Sequence, residues 1–306
     1  MAHTGGDGTN GLDDLATEAW NEDGADLDLR STRDLVRLMN AEDARVPTAV
    51  AKAADAITAA IDAIAARLQS GGRLIYAGAG TSGRLAALDA AECESTFSTR
   101  PGQVVALIAG GAASSPVAQE AAEDDDEAGR RELELLEVSD VDAVVGVSAS
   151  GRTPYVLGAL RAARTAGALT IGVVSVHDSE LADLVEHEIA VVVGPEILAG
   201  STRLKAGTAQ KLVLNMLSTL AMVRIGKTFG NLMVDVYATN EKLHARVRRI
   251  LRHATGEPAD AIESALAASG GDAKVAIVTL LGRTDATTAR ERLDAANGVI
   301  RKALDR

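Results

Sequence analysis

The chain has 306 residues, with 31 Lys+Arg against 43 Asp+Glu, five His and one Cys, and a formal net charge of −12. That length supports one large domain or two ordinary ones without a covalent staple, and the single Cys93 excludes a disulfide framework or a multi-cysteine metal cluster. The histidines form no HxxxH or HExxH pair, which argues against a metal site, and an aromatic content of 2% argues against stacking on single-stranded nucleic acid.

The charge is local. Residues 1–30 hold eight acids and one base, the run Glu123–Glu127 holds five acids, and the remainder is balanced, so an anion site elsewhere is open. The start, MAHTGGDGTNGLDD, has no apolar leader segment. The longest apolar stretch, Leu212–Val223, has 12 residues, fewer than the ~20 that span a bilayer. The expectation is a soluble cytoplasmic chain that binds neither nucleic acid nor membrane.

Residues 1–15 are Gly/Asp/Asn-rich and read as a disordered acidic tail. Ser31 or Thr32 caps a short helix with Leu35, Val36 and Leu38. After Pro47 an Ala-rich helix carries Val50, Ala54, Ile57, Ile61, Ile64 and Leu68 at helical spacing and ends at Gly71-Gly72. Short β-branched runs then predict five strands buried on both faces, at 73–77, 104–109, 143–147, 169–174 and 189–193. Helical stretches are expected at 82–92, 115–137, 154–166 and 178–186. This rhythm predicts an α/β fold with a doubly wound, mostly parallel five-stranded sheet. A long apolar helix follows at 205–226, then one from about 234 to 253 ending on Arg246, Arg248, Arg249 and Arg252, then three or four short helices in 257–306. The expected organisation is the tail, a ligand-binding domain with N-terminal helices at 16–226, and a helical C-terminal region at 227–306.

Two turns carry the chemistry. Gly78-Ala79-Gly80-Thr81-Ser82-Gly83 joins a strand to a helix, where glycines admit close backbone approach and free N–H groups with two hydroxyls make an anion nest. Neither a ribose-binding acid about 20 residues on nor a GKS/T ending is present, so the turn is neither a dinucleotide fingerprint nor a Walker A loop. Alone it is equally an ordinary strand–helix connection. The second turn, Ser148-Ala149-Ser150-Gly151-Arg152-Thr153-Pro154, repeats the arrangement on another strand. Two such turns at strand C-termini suit a phosphate monoester held by amides and hydroxyls without a metal.

The segments LIYAGAGTSGRLAALDAAEC (Leu74–Cys93), VVGVSASGRTPYVLGAL (Val144–Leu160) and the long run from Glu196 to Arg246 resemble those of the N-acetylmuramic acid 6-phosphate etherase family. That family belongs to the sugar isomerase (SIS) superfamily. The resemblance extends from about Thr17 to the C-terminus. It implies an SIS-type fold, a carbon–oxygen lyase and release of D-lactate from a sugar phosphate, with no cofactor. By motif position it implies Glu92 as general acid and Glu123 as base. It also implies phosphate contacts from Thr81, Ser82, Ser148, Ser150 and Thr153. Gly80, Glu196, Arg203 and Lys205 are candidate substrate contacts, and Glu241 and His244 candidate ring-opening groups. An aldose–ketose isomerase and a non-enzymatic sugar-phosphate sensor are the alternative readings. The apolar helix 205–226 suggests a homodimer.

Overall fold

The computed structural model describes residues 17–111, 121–235 and 241–305. The acidic tail at 1–15 and the first part of the helix expected at 115–137 lie outside them. The chain divides into two compact units. One comprises the chain up to Ala60 with Ile75–Ala87 and Ala106–Leu214; the other comprises Ile61–Leu74, Leu88–Val105 and 215 onward.

The first unit is built on a five-stranded sheet of order β2-β1-β3-β4-β5, where β1 is Leu74–Gly78, β2 Val104–Ile108, β3 Ala143–Val147, β4 Leu169–Val174 and β5 His187–Ala190. Strands β3 and β4 pair in parallel from Ala143–Leu169 to Val147–Val173, and β4 pairs in parallel with β5 from Ile171–His187 to Val174–Ala190. Every residue of β1, β3 and β4 is buried, as apolar runs with no alternation require. The fifth strand lies two residues earlier than 189–193. It is an edge strand, so polar residues are tolerated, and Glu188 is held by the Ser179 hydroxyl at 2.6 Å.

Helix α1 (Thr32–Asp43) begins at a Ser31 cap whose side chain accepts from Asp34 N–H. The Ala-rich stretch forms two helices, α2 (Val46–Lys52) and α3 (Ala54–Gln69), because Ala53 leaves helical geometry at φ −90°, ψ 10°. Apolar spacing cannot detect a joint of one residue. Helix α4 is Gly80–Phe97, longer than the expected 82–92. Within 115–137 the described part is helical at 121–123, breaks at Asp124-Asp125 and restarts as α5 (Asp126–Glu134). Asp125 Oδ1 accepts from Ala128 N–H at 2.8 Å, so the acidic run opens a helix, where the macrodipole favours negative charge, instead of lying inside one. Helix α6 is Pro154–Thr165. It packs on α5 backbone to backbone: a Cβ on Gly129 would lie 1.9 Å from Tyr155 O, and one on Gly158 would lie 1.9 Å from Asp126 O. The stretch at 178–186 is a single 3-10 turn, Glu180–Leu184.

Helix α7 (Lys205–Arg224) runs through both units. The second unit continues with a hairpin, β6 (Thr228–Phe229) and β7 (Leu232–Met233), where the Gly230-Asn231 pair with Gly230 at φ +60° turns the chain. The helix expected from about 234 is therefore displaced: Val234 and Asp235 are not helical, and α8 is Glu241–Thr255. Four short helices follow, α9 (Ala259–Ser269), α10 (Ala273–Gly282), α11 (Ala286–Ala295) and α12 (Ile300–Leu304). They bury a separate core that includes Val247, Leu251, Ile262, Ile277, Leu293 and Ile300. Among the described residues, no helix is long and apolar enough to cross a membrane.

Candidate active site

The strand order 2-1-3-4-5 places a topological switch point between β1 and β3, where open α/β sheets bind ligands at strand C-termini. Both hydroxyl-rich turns lie there, one after β1 and one after β3. The first turn closes on itself. A Cβ on Gly83 would sit 2.6 Å from Gly78 O and 2.9 Å from Ile108 Cγ2, so only glycine lets α4 start this close to the strand. The first N–H groups of α4 have no intrahelical acceptor and remain available to a ligand. The Ser82 hydroxyl donates to Gln210 Oε1 at 3.0 Å. Gln210 is 2% exposed, and its Nε2 has no partner among the described residues. The Thr81 hydroxyl is half-buried and forms no hydrogen bond among the described residues.

The second turn is knitted internally. Gly151 N–H donates to Ser148 Oγ at 3.0 Å, Ser148 Oγ lies 2.9 Å from Thr153 Oγ1, and Thr153 Oγ1 donates to Glu123 Oε1 at 3.3 Å. Thr153 has one proton, committed to the carboxylate, so Ser148 donates to Thr153. The chain of donors thus runs from a backbone amide through two buried hydroxyls to Glu123. Thr153 begins α6 without capping it, since its side chain turns to Glu123 instead. Ser150 Oγ accepts from Arg152 N–H at 3.3 Å, and its proton has only the long 3.5 Å contact to Ser148 Oγ, a weak bond that a ligand can replace. Of the five hydroxyls expected to hold phosphate, Thr81 has no hydrogen bond among the described residues and Ser150 only the long contact to Ser148, whereas Ser82, Ser148 and Thr153 have committed their protons.

Glu92 lies in the second unit on the last turns of α4, exposed, on a cleft of about 940 Å³. One turn earlier, Asp89 is buried and accepts from Asn215 Nδ2 at 2.6 Å and Ser218 Oγ at 3.1 Å, which fixes this part of α4 against α7. The thiol of Cys93, 2% exposed, is pushed up from 9.0 to about 12, chiefly by burial and next by the Asp89 charge. Cys93 is therefore a packed residue, not a nucleophile.

Of the remaining candidates, Glu196 and Lys205 are engaged by the protein itself. Both Glu196 oxygens accept from the start of α7, from Lys205 N–H at 3.0 Å and Ala206 N–H at 2.9 Å. The Lys205 ammonium, on a residue 1% exposed, donates to Glu42 Oε2 at 2.5 Å and Pro195 O at 2.7 Å. Arg203 is exposed, and Gly80 stands at φ +51° as the first residue of α4. Glu241 and His244 are exposed on α8. Two features escaped the sequence reading. Gln210 falls within the run from Glu196 to Arg246, but only its contact with Ser82 gives it a role, and the Glu42–Lys205 pair joins residues 163 apart.

The sheet order and the two turns define an SIS-type α/β domain. The SIS domain family matches residues 125–220, and the glucokinase regulatory protein N-terminal SIS domain family matches 56–164. Over 293 residues the chain is 57% identical to the N-acetylmuramic acid 6-phosphate etherase of Streptomyces coelicolor, covering 96% of this chain and 94% of that one. It is 58% identical to that of Rubrobacter xylanophilus over 96% of this chain and 97% of that one. It is 50% identical to that of an Escherichia coli strain, covering 96% and 99%. The chain belongs to the N-acetylmuramic acid 6-phosphate etherase family.

Proposed function

We propose that the chain cleaves the lactyl ether of N-acetylmuramic acid 6-phosphate, with Glu123 as general base and Glu92 as general acid. It is a carbon–oxygen lyase. In the open-chain sugar the C2 proton is α to an aldehyde, and the ether at C3 is β to it. Glu123 takes the C2 proton. The C3–O bond breaks, its electron pair stays on the ether oxygen, and Glu92 protonates that oxygen as D-lactate departs. Water then adds to the unsaturated aldehyde at C3, giving N-acetylglucosamine 6-phosphate. Two carboxyl groups with opposed protonation suffice for this sequence.

The observation that supports the role of Glu123 is the donor chain ending on it, which ties its carboxyl group to the turn that opens at Ser148. The phosphate lies on the two turns, with Thr81 and Ser150 as its hydroxyl donors and the other three hydroxyls shaping the nest. The domain at 16–226 holds the sugar phosphate, and the helical region 227–306 completes the enzyme. It works in the cytoplasm, where a phosphomonoester is retained. Exposed Leu220 and Val223 on α7 support a homodimer, and a solution mass equal to one chain refutes that assembly.

Glu92→Gln and Glu123→Gln each lower D-lactate release by about 10²- to 10⁴-fold with unchanged thermal melting. Solvent deuterium separates the roles. Glu92→Gln still exchanges the C2 proton without releasing lactate, whereas Glu123→Gln does neither. Full lactate release by either variant overturns the assignment.

A further inference from the structure

The cleft that bears Glu92 also holds a cation that the reaction scheme leaves without a role. Its lining includes Arg100 and Arg246 together with the apolar Met233 and Leu243. The two arginines differ. Arg100 Nη2 donates to Gly71 O at 3.0 Å. Arg246 projects from α8, is exposed, and has no ion-pair or hydrogen-bond partner among the described residues. Its neighbour Arg248, by contrast, is tied to Glu263 at 2.5 Å.

We propose that Arg246 binds the carboxylate of the departing lactyl group, and so selects the ether-bearing sugar over its product. The inference rests on the etherase reading and on Glu92 as the acid. The lactyl carboxyl carbon is two covalent bonds from the ether oxygen. Any side chain aimed at that oxygen therefore shares its cleft with whatever holds the carboxylate. Glu92 and Arg246 line one cleft, and a guanidinium matches a carboxylate in a bidentate fork that a lysine cannot reproduce. Met233 and Leu243 supply apolar surface for the lactyl methyl group in the same cleft.

The experiment compares two ligands that differ only in the lactyl group. Arg246→Ala raises KM for N-acetylmuramic acid 6-phosphate about 10- to 100-fold. The inhibition constant of N-acetylglucosamine 6-phosphate, which has no carboxylate, stays within about twofold because the phosphate turns are untouched. Arg246→Lys recovers part of the loss, since it keeps the charge but not the fork. An unchanged KM overturns the proposal. Equal weakening of both ligands also overturns it, because that pattern marks a structural role. Wild-type protein that releases no lactate overturns the etherase reading itself, and that result is distinct from an active enzyme indifferent to Arg246.

Discussion

The two hydroxyl-rich turns end neighbouring strands and each opens a helix, yet they are held by different means. The turn after β3 is stabilised locally: a backbone amide, Ser148 and Thr153 form one chain of donors ending on Glu123. The turn after β1 closes through the contact between Gly78 and Gly83 and is tied from outside by a bond from Ser82 to Gln210, 128 residues away. Each arrangement commits some hydroxyl protons and leaves one available to a ligand, that of Ser150, held only by a long contact, in one turn and that of Thr81 in the other. Similar sequence patterns thus divide into residues that shape the nest and residues that can donate to a ligand.

The largest effects come from the glycines, and they break the comparison if it is wrong. Gly151 has φ +67°, and its Cβ would stand 2.4 Å from Ser179 Cβ, so Gly151→Ala costs about 2–4 kcal/mol in urea unfolding. Gly83 has no positive φ, but its Cβ would stand 2.6 Å from the backbone oxygen of Gly78 and 2.9 Å from Ile108 Cγ2, and Gly83→Ala costs about 1–3 kcal/mol. A Gly151→Ala protein as stable as the parent removes the argument that this turn needs a left-handed residue.

The serines give the next effect and sharpen the division. Ser150→Ala removes a donor available to a ligand and raises KM for the phosphorylated sugar about tenfold with kcat unchanged. Ser148→Ala leaves the Gly151 N–H without its acceptor and lowers stability by about 1–3 kcal/mol. It also lowers kcat, because Thr153 loses the donor that polarises it toward Glu123. Identical kinetic profiles for the two variants erase the distinction between shaping and donating hydroxyls.

The smallest effect lies farther along α4, the helix that leaves the first turn. The folded state holds Cys93 neutral with its pKa raised to about 12, against 9.0 ordinarily. The native protein therefore retains a proton that the unfolded chain loses as pH rises. The resulting stability is complete below pH 9 and declines between about 9 and 12. Cys93→Ala flattens that decline in melts recorded across this window. Prompt alkylation of native Cys93 at pH 8 contradicts its burial.

Much of this was legible from local pattern. The sheet strands were readable as apolar β-branched runs, and the two turns as glycine and hydroxyl clusters between a strand and a helix. Elements at edges were less legible. The fifth strand began on His187 and Glu188 because an edge needs no apolar run. The hairpin at 228–233 did carry a Gly-Asn turn signal, but it interrupts a stretch whose composition suits a helix. The acidic run looked uniform, although the structure ends one helix at its first residue and caps the next with Asp125.

The sequence by itself determined the family and the strand–turn–helix alternation, because each depends on residue type and short-range spacing. Tertiary structure alone decided which hydroxyls have protons to give, that Lys205 and Glu196 are engaged within the protein, and that Arg246 lines the cleft of Glu92. The physical reason is that a proton or charge is committed by whichever partner stands within hydrogen-bonding reach. In this chain such partners lie 128 residues apart at Ser82 and Gln210 and 163 apart at Glu42 and Lys205.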